Sequence, residues 1–77
     1  MISIKNEDFL NKLGLRIREV RTTKGYTQEQ LADIAGIRES QIGRIERGEI
    51  NTSVSTARII AKALQVELKE LFDFDWK

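Results

Sequence analysis

The stretch YTQEQLADIAGIRESQIGRIERG, residues 26–48, decides the fold of this chain. Thr27 followed three residues later by Gln30 forms a capping box, which predicts that a helix begins directly after Thr27. Gly36 ends this helix, because glycine adopts the left-handed backbone conformation at low steric cost. A second helix of similar length follows. Two such helices joined by a short glycine-containing turn are typical of a helix-turn-helix unit, here about residues 27–47. Ordinary helical bundles contain similar pairs, so the spacing leaves both architectures open.

Apolar residues three and four positions apart predict helices along the rest of the chain as well. The expected helices cover about 7–24, 28–35, 39–47, 54–64 and 68–72. The side chains expected to face the core are Phe9, Leu10, Leu13, Ile17, Val20, Leu31, Ala32, Ala35, Ile42, Ile45, Val54, Ala57, Ile60, Ala61 and Leu64. Five helices joined by tight turns indicate an all-α fold: a compact five-helix domain over residues 1–77, with a short tail at 73–77.

The composition narrows the possible functions. With 77 residues the chain forms one small domain, and it contains no cysteine and no histidine. Disulfides, cysteine or histidine metal sites and histidine-based nucleophilic catalysis are therefore excluded. The carboxylates are scattered over helix surfaces and do not converge on a nucleophile. We therefore predict no enzymatic activity, no cofactor and no bound metal.

Charge is unevenly distributed, although the net charge is only +1. Basic residues outnumber acidic ones over residues 5–24 and 38–62, whereas residues 67–77 are acidic. A basic body favours binding of a polyanion at one face, but solvated helix surface explains the charges equally well. The N-terminus lacks a signal-peptide pattern and no apolar run is long enough to span a bilayer, so we expect a cytoplasmic protein without membrane contact.

The third helix is expected to bury unusually little of its surface. Ile42 and Ile45 are its inward apolar residues. Its outward face carries Glu39, Ser40, Gly43, Arg44 and Arg47. A helix that only filled space would use more of its surface for burial, so this face is available for a partner.

Three segments, TQEQLADIAGI, IGRIERGEINTS and IAKALQVELKELF, resemble the DNA-binding domain of phage Cro and C1 repressors and their bacterial relatives. The resemblance covers about residues 13–72, and the segments agree in order and spacing. It implies a lambda-repressor-like domain that binds double-stranded operator DNA as a two-fold symmetric homodimer. It further implies a transcriptional regulator, most often a repressor, whose third helix lies in the major groove.

The resemblance also implies a role for individual residues. Base contacts are expected from Glu39, Ser40, Gly43 and Arg44. Phosphate contacts are expected from Thr27, Gln28, Arg38, Arg47, Asn51, Thr52 and Ser53. Arg44 can pair bidentately with guanine, which gives about 1–3 kcal/mol of discrimination, and a phosphate contact is its alternative role. Glu39 either accepts from a cytosine amino group or favours the helix N-terminus. Gly43 permits a close approach either to DNA, which we favour, or to another helix.

Arg21 and Glu46 match positions that form an internal ion pair in relatives, so we expect them to tie the first helix to the third. Three positions depart from the family pattern. Arg38 replaces a capping residue, and Gln65 replaces a glycine, which costs about 1–2 kcal/mol if Gln65 adopts the left-handed conformation. Glu67 also stands where relatives have a small capping residue.

A possible apolar patch involves Ile59, Phe72, Phe74 and Trp76. The tail FDFDWK alternates aromatic and acidic residues with a strand-like period. We favour a contact with a second subunit over a tail that folds back and covers Ile59. A competing function for the chain is an antitoxin or other interaction module that captures a partner protein through its C-terminal region. We expect no separate ligand-sensing domain, because no residues remain to build one.

Overall fold

The computed structural model describes residues 6–75. The fold is all-α over this range, as predicted, with five helices and no strand. The helices are α1 (Glu7–Thr23), α2 (Gln28–Ala35), α3 (Glu39–Glu46), α4 (Val54–Leu64) and α5 (Leu68–Leu71). Each bound lies within one residue of its prediction. Between residues 6 and 75, no helix combines the length and apolarity needed to cross a membrane.

Side-chain caps define where three of the helices begin. The Thr27 side chain accepts from the Gln30 N–H at 3.0 Å, and the Gln30 side chain accepts from the Thr27 N–H at 2.9 Å. This reciprocal pair is the predicted capping box. Asn6 caps α1 by accepting from the Phe9 N–H, and Ser53 caps α4 in the same way. These caps satisfy N–H groups that have no partner within their own helix.

The core lies where α2, α3 and α4 meet α1 and α5. The contacting pairs are α2 with α3 and α4, α1 with α3 and α5, and α4 with α5. The large side chains that are fully buried are Ile17, Leu31, Ile42, Ile45, Ile60, Leu64 and Leu71. Burial of each such side chain contributes about 1.5–3 kcal/mol relative to its exposure. The helical period predicted six of these seven side chains and missed Leu71 of α5.

Three residues predicted to face the core lie at its margin, and one of them is Phe9, which is half-buried near the beginning of α1. Val54 is 72% exposed, so its assignment to the inner face of α4 is wrong. As the first residue of α4, it lies at the rim of an open groove between the beginnings of α1 and α4. Ala35, at the last position of α2, is only half-buried. Period alone cannot show that the end of a helix extends beyond its neighbours.

The C-terminal segment also differs from its prediction. Phe72 ends α5 and Phe74 lies in a bend, so the strand-like period does not produce a strand over the part of the tail that is described. Both rings pack against Phe9 of the same chain, with centroid distances of 6.3 and 5.4 Å. Ile59 stays 44% exposed and is not part of this cluster. Trp76 lies outside the described residues.

The three residues that depart from the family pattern, Arg38, Gln65 and Glu67, all lie at helix ends. Gln65 ends α4 with φ of 60°, which is the left-handed conformation that glycine adopts at lower cost. Glu67 precedes α5, and the Glu70 side chain accepts from the Glu67 N–H at 2.9 Å. Arg38 precedes α3 and provides no side-chain cap. The structure thus tolerates three unusual residues at helix ends.

Gly14 lies where α1 crosses the C-terminal end of α3. A Cβ atom at this position would lie 2.5 Å from the carbonyl oxygen of Ile45 and would also clash with that of Glu46. Real Cβ atoms do not approach carbonyl oxygens this closely, so the backbone of α1 is in direct contact with α3. The separation of the two helices is therefore set by main-chain atoms.

We expect Gly14→Ala to lower the free energy of unfolding by about 1–3 kcal/mol, because the added methyl group overpacks this crossing. In an open helix the same change stabilises by up to about 1 kcal/mol, so the two cases differ in sign. Urea denaturation followed by circular dichroism measures the change. The matched control is Leu15→Ala, at a neighbouring residue that is 62% exposed, with an expected change within about 0.5 kcal/mol. A more stable Gly14→Ala variant would contradict the close contact.

Candidate nucleic-acid interface

The turn between α2 and α3 brings the two short helices into contact. Gly36 ends α2 with φ of 70°, and the Ile37 N–H donates to the carbonyl of Ala32 at 3.1 Å. Arg38 is extended, with ψ of 142°, and α3 begins after it. Ile37 packs partly buried against the core, which fixes the turn. This geometry presents one side of α3 to solvent.

A buried ion pair lies beneath this surface. Arg21 Nε donates to Glu46 Oε2 at 2.6 Å, and Arg21 Nη2 donates to Glu46 Oε1 at 3.0 Å. The side chains are only 9% and 3% exposed. The Tyr26 carbonyl accepts from Arg21 Nη1 at 2.8 Å, and Gln28 Nε2 donates to Glu46 Oε1 at 3.0 Å. The ion pair expected from the resemblance is therefore present, and it forms part of a larger network.

This network joins three helices, α1, α2 and α3. Arg21 belongs to α1, Glu46 to α3, and Gln28 to the first turn of α2. No buried side-chain nitrogen or oxygen among residues 6–75 lacks a hydrogen-bond partner, so the charges are fully satisfied. The network thus positions α3 against both α1 and the beginning of α2.

Six of the residues expected to contact DNA line one open groove along α2 and α3. They are Gln28, Glu39, Ser40, Gly43, Arg44 and Arg47. The side chains of Arg44 and Arg47 are 57% and 59% exposed. Glu39 and Ser40 are also exposed and belong to the first turn of α3. The structure therefore brings together the base-contact candidates and two of the phosphate-contact candidates.

Gly43 does not lie at a crossing of helix backbones. A Cβ atom there would lie 3.0 Å from Arg47 Nη1 and 3.6 Å from Gln28 Oε1. The residue is buried beneath these two side chains, whereas the close helix crossing occurs at Gly14. Gly43 therefore lies close to a side chain of another helix, Gln28 of α2, and its approach to DNA stays a prediction. The absence of a side chain at Gly43 leaves room for the Arg47 guanidinium.

The remaining phosphate-contact candidates do not line the groove along α2 and α3. Asn51, Thr52 and Ser53 line a second groove with residues at the beginning of α1. The Ser53 hydroxyl donates to Thr56 Oγ1 and accepts from the Thr56 N–H, each at 3.0 Å. Its role in the structure is therefore that of a helix cap. Thr27 likewise caps α2, while Arg38 is exposed beside the turn.

Glu49 pairs with two exposed arginines, Arg44 in α3 and Arg47 directly after it. Its Oε2 accepts from Arg47 Nε at 2.5 Å, and its Oε1 lies 3.9 Å from Arg44 Nε. The hydrogen bond from Arg47, and secondly the negative charge of Glu49, raise the pKa of Arg47 above its usual value. The cationic surface of α3 is therefore partly neutralised from within the chain.

Sequence reasoning missed three contributors to this region. Gly14 was detectable as a glycine inside a strong helical stripe with no turn to explain it. The contact of Gln28 with Glu46 and the position of Glu49 beside Arg44 and Arg47 depend on how the helices pack. No spacing rule in the sequence would have shown them.

A short helix with an exposed polar face, set against a second helix by a tight turn, is the arrangement by which helix-turn-helix proteins read DNA. The family model described as helix-turn-helix matches residues 17–71. Control protein C.SmaI of Serratia marcescens is 39% identical over 64 residues, which cover 83% of this chain and 76% of that protein. The HTH-type transcriptional regulator SlrR of Bacillus subtilis is 44% identical over 62 residues, which cover 79% of this chain but 41% of SlrR.

A solved structure agrees with these sequence relatives. The restriction-modification controller protein C.AhdI from Aeromonas hydrophila matches with a TM-score of 0.81 and 43% identity. The match covers 87% of this chain and 100% of that chain. The chain therefore belongs to the helix-turn-helix family of Cro/C1-type transcriptional regulators, as the sequence resemblance predicted.

We expect Glu46→Ala to lower the free energy of unfolding by about 3–5 kcal/mol, because Arg21 is left buried without its partner. Replacing both residues, as Arg21→Met with Glu46→Leu, should recover most of this loss, since neither charge is then buried. Urea denaturation measures all three free energies. The control is Glu19→Gln, which breaks the exposed Arg16–Glu19 pair and should cost less than about 1 kcal/mol. An equal cost for Glu46→Ala and Glu19→Gln would show that burial adds nothing.

Proposed function

We propose that this protein is a sequence-specific regulator of transcription that binds double-stranded DNA, with the exposed face of α3 in the major groove. The observation that carries the proposal is the groove of Gln28, Glu39, Ser40, Gly43, Arg44 and Arg47. It presents polar side chains on a helix whose other side is held by buried Ile42, Ile45 and Glu46. The major groove is about 12 Å wide and admits one helix of this kind.

Arg44 is the principal candidate for base readout within this proposal. Its side chain is exposed in the last turn of α3, and a guanidinium matches the O6 and N7 acceptors of guanine. Ser40 and Glu39 occupy the first turn of α3, which is the part of a recognition helix that contacts base edges. Gly43 completes the proposed base-contact set and lies beneath the Arg47 side chain.

Phosphate contacts orient such a protein without reading sequence. The beginnings of α2 and α4 supply N–H groups that have no partner within their helices, and the helix dipole favours an anion there. Thr27, Gln28, Asn51, Thr52 and Ser53 lie at these two positions. Arg38 and Arg47 flank α3 and add positive charge on either side. These residues form the proposed backbone-binding set.

We further infer that the chain acts as a homodimer and represses transcription. Two copies related by a two-fold axis would read half-sites about 34–36 Å apart, or a multiple of that spacing. Similar proteins are named as restriction-modification controllers and transcriptional regulators. Capture of a partner protein by the tail has less support, because Phe72 and Phe74 pack against Phe9 of their own chain.

Selection from random duplex DNA by the purified protein, followed by sequencing, tests the DNA-binding function. We expect enrichment of a short inverted repeat, with affinity that falls steeply as salt rises. Arg44→Ala should then lose about 1–3 kcal/mol of discrimination at one symmetric base position. Fluorescence anisotropy with single-base operator variants measures this loss.

The control for Arg44→Ala is Lys69→Ala, which also removes one positive charge, on α5, where Lys69 pairs with Glu67. It should leave every base preference unchanged. If Arg44→Ala weakens binding uniformly across all operator variants, Arg44 contacts a phosphate and base readout belongs to another residue. If no sequence is enriched, sequence-specific binding is excluded.

Ile59 tests the proposed dimer. It is 44% exposed on α4, and we expect Ile59→Lys to shift sedimentation from dimer toward monomer, because a charge replaces an apolar contact. Leu15→Lys is the control, since Leu15 is 62% exposed on α1. Analytical ultracentrifugation at several concentrations distinguishes the variants. A dissociation constant that responds equally to both changes would remove Ile59 from the interface.

A further inference from the structure

The chain after α3 turns back toward the exposed surface of that helix. The Gly48 N–H donates to the carbonyl of Ile45 at 3.0 Å, and the Glu49 N–H donates to the carbonyl of Arg44 at 2.9 Å. Gly48 has φ of 72°. Together these bonds form a Schellman motif, in which a left-handed glycine reverses the chain and satisfies the last carbonyls of the helix. The motif places Glu49 beside the final turn of α3.

A contact with α1 makes this position rigid. Gly48 is buried, and a Cβ atom there would lie 2.9 Å from both the backbone nitrogen and the Cα of Asn11. Any side chain at position 48 would therefore collide with the main chain of α1. Because Gly48 is fixed in this way, the backbone of Glu49 is held beside the last turn of α3.

From this backbone position the carboxylate of Glu49 reaches both Arg44 and Arg47. One oxygen accepts from Arg47 Nε at 2.5 Å, and the other lies 3.9 Å from Arg44 Nε. The Arg47 guanidinium lies across Gly43, where a side chain would be in its way. The three side chains are 46–59% exposed, so their pairing can be broken when another anion arrives.

We propose that Glu49 lowers the affinity of the protein for DNA by competing with DNA for Arg44 and Arg47. The inference rests on the proposed function of α3 as the DNA-reading helix. In the free protein, Glu49 occupies the place that a phosphate or a guanine edge takes in the complex. DNA therefore has to displace an internal carboxylate before either arginine can bind it.

This competition weakens binding to DNA of any sequence. The pairing with Glu49 is lost in every complex in which the two arginines contact DNA, so its free energy is subtracted from specific and nonspecific binding alike. A correctly placed guanine still offers Arg44 two acceptors in a fixed plane, which a phosphate does not. Glu49 thus lowers the overall affinity for DNA, while base contacts set the ratio of specific to nonspecific binding.

Glu49→Gln tests this role, because it removes the charge and preserves the shape of the side chain. We expect affinity for random duplex DNA at 0.1 M salt to rise roughly tenfold, the effect of about one additional phosphate contact. The slope of log K against log salt should steepen by about 0.9 for that contact. Affinity for the selected operator should rise by at least the same factor, because the same pairing has to be broken in both complexes. Anisotropy titrations over a range of salt concentrations measure all of these quantities.

Two matched variants separate competition from a general change in charge. Glu19→Gln makes the same change in net charge and removes the carboxylate that pairs with Arg16 on α1. It should raise the affinity for DNA by much less than Glu49→Gln. In an Arg47→Ala background, the gain in affinity from Glu49→Gln should shrink. Equal effects of Glu19→Gln and Glu49→Gln, or a gain that persists in full without Arg47, would overturn the proposal.

A measurement without DNA tests the pairing itself. The Nε–Hε proton of Arg47 should exchange with solvent more slowly in the native protein than in Glu49→Gln, as read by NMR. If the pairing is present but no variant binds DNA, the proposed function fails. If the native protein selects an operator and Glu49→Gln leaves both the exchange rate and the affinity for DNA unchanged, the role of Glu49 fails alone.

Discussion

The buried pair of Arg21 and Glu46 is the interaction on which the position of α3 and its exposed side depends. A short helix with two inward isoleucines cannot fix its own orientation, because apolar contacts have little directional preference. Two charge-assisted hydrogen bonds to a single carboxylate are directional, and Gln28 adds a third from the beginning of α2. The pair therefore fixes the angle at which α3 packs against its neighbours.

Burying these charges contributes little to net stability, since desolvation offsets much of the attraction. Its value lies in geometry, because a base-reading side chain must be placed to within a fraction of an ångström. The direct backbone contact at Gly14 serves the same end by fixing the distance between α1 and α3. Orientation and distance are thus set by two independent features, both on the side of α3 that faces away from solvent.

Local signals in the sequence predicted the helices and the centre of the core. The capping box at Thr27, the left-handed glycine at Gly36 and the apolar stripes act within a few residues, so they can be read without knowing the fold. The exposure of Val54 and the packing of Phe72 on Phe9 depend on distant segments. The family resemblance supplied the expected site residues, yet it gave no indication of how Glu49 is placed.

The division of α3 into two sides has a consequence for how such proteins diversify. Ile42, Ile45 and Glu46 make its buried contacts, whereas Glu39, Ser40 and Arg44 are exposed. The buried contacts of α3 therefore do not involve these three exposed side chains. Substitutions at these exposed positions can change the DNA sequence that is bound without unfolding the protein at any step. The exposed residues of α3 can therefore change one at a time in evolution, while its buried contacts stay the same.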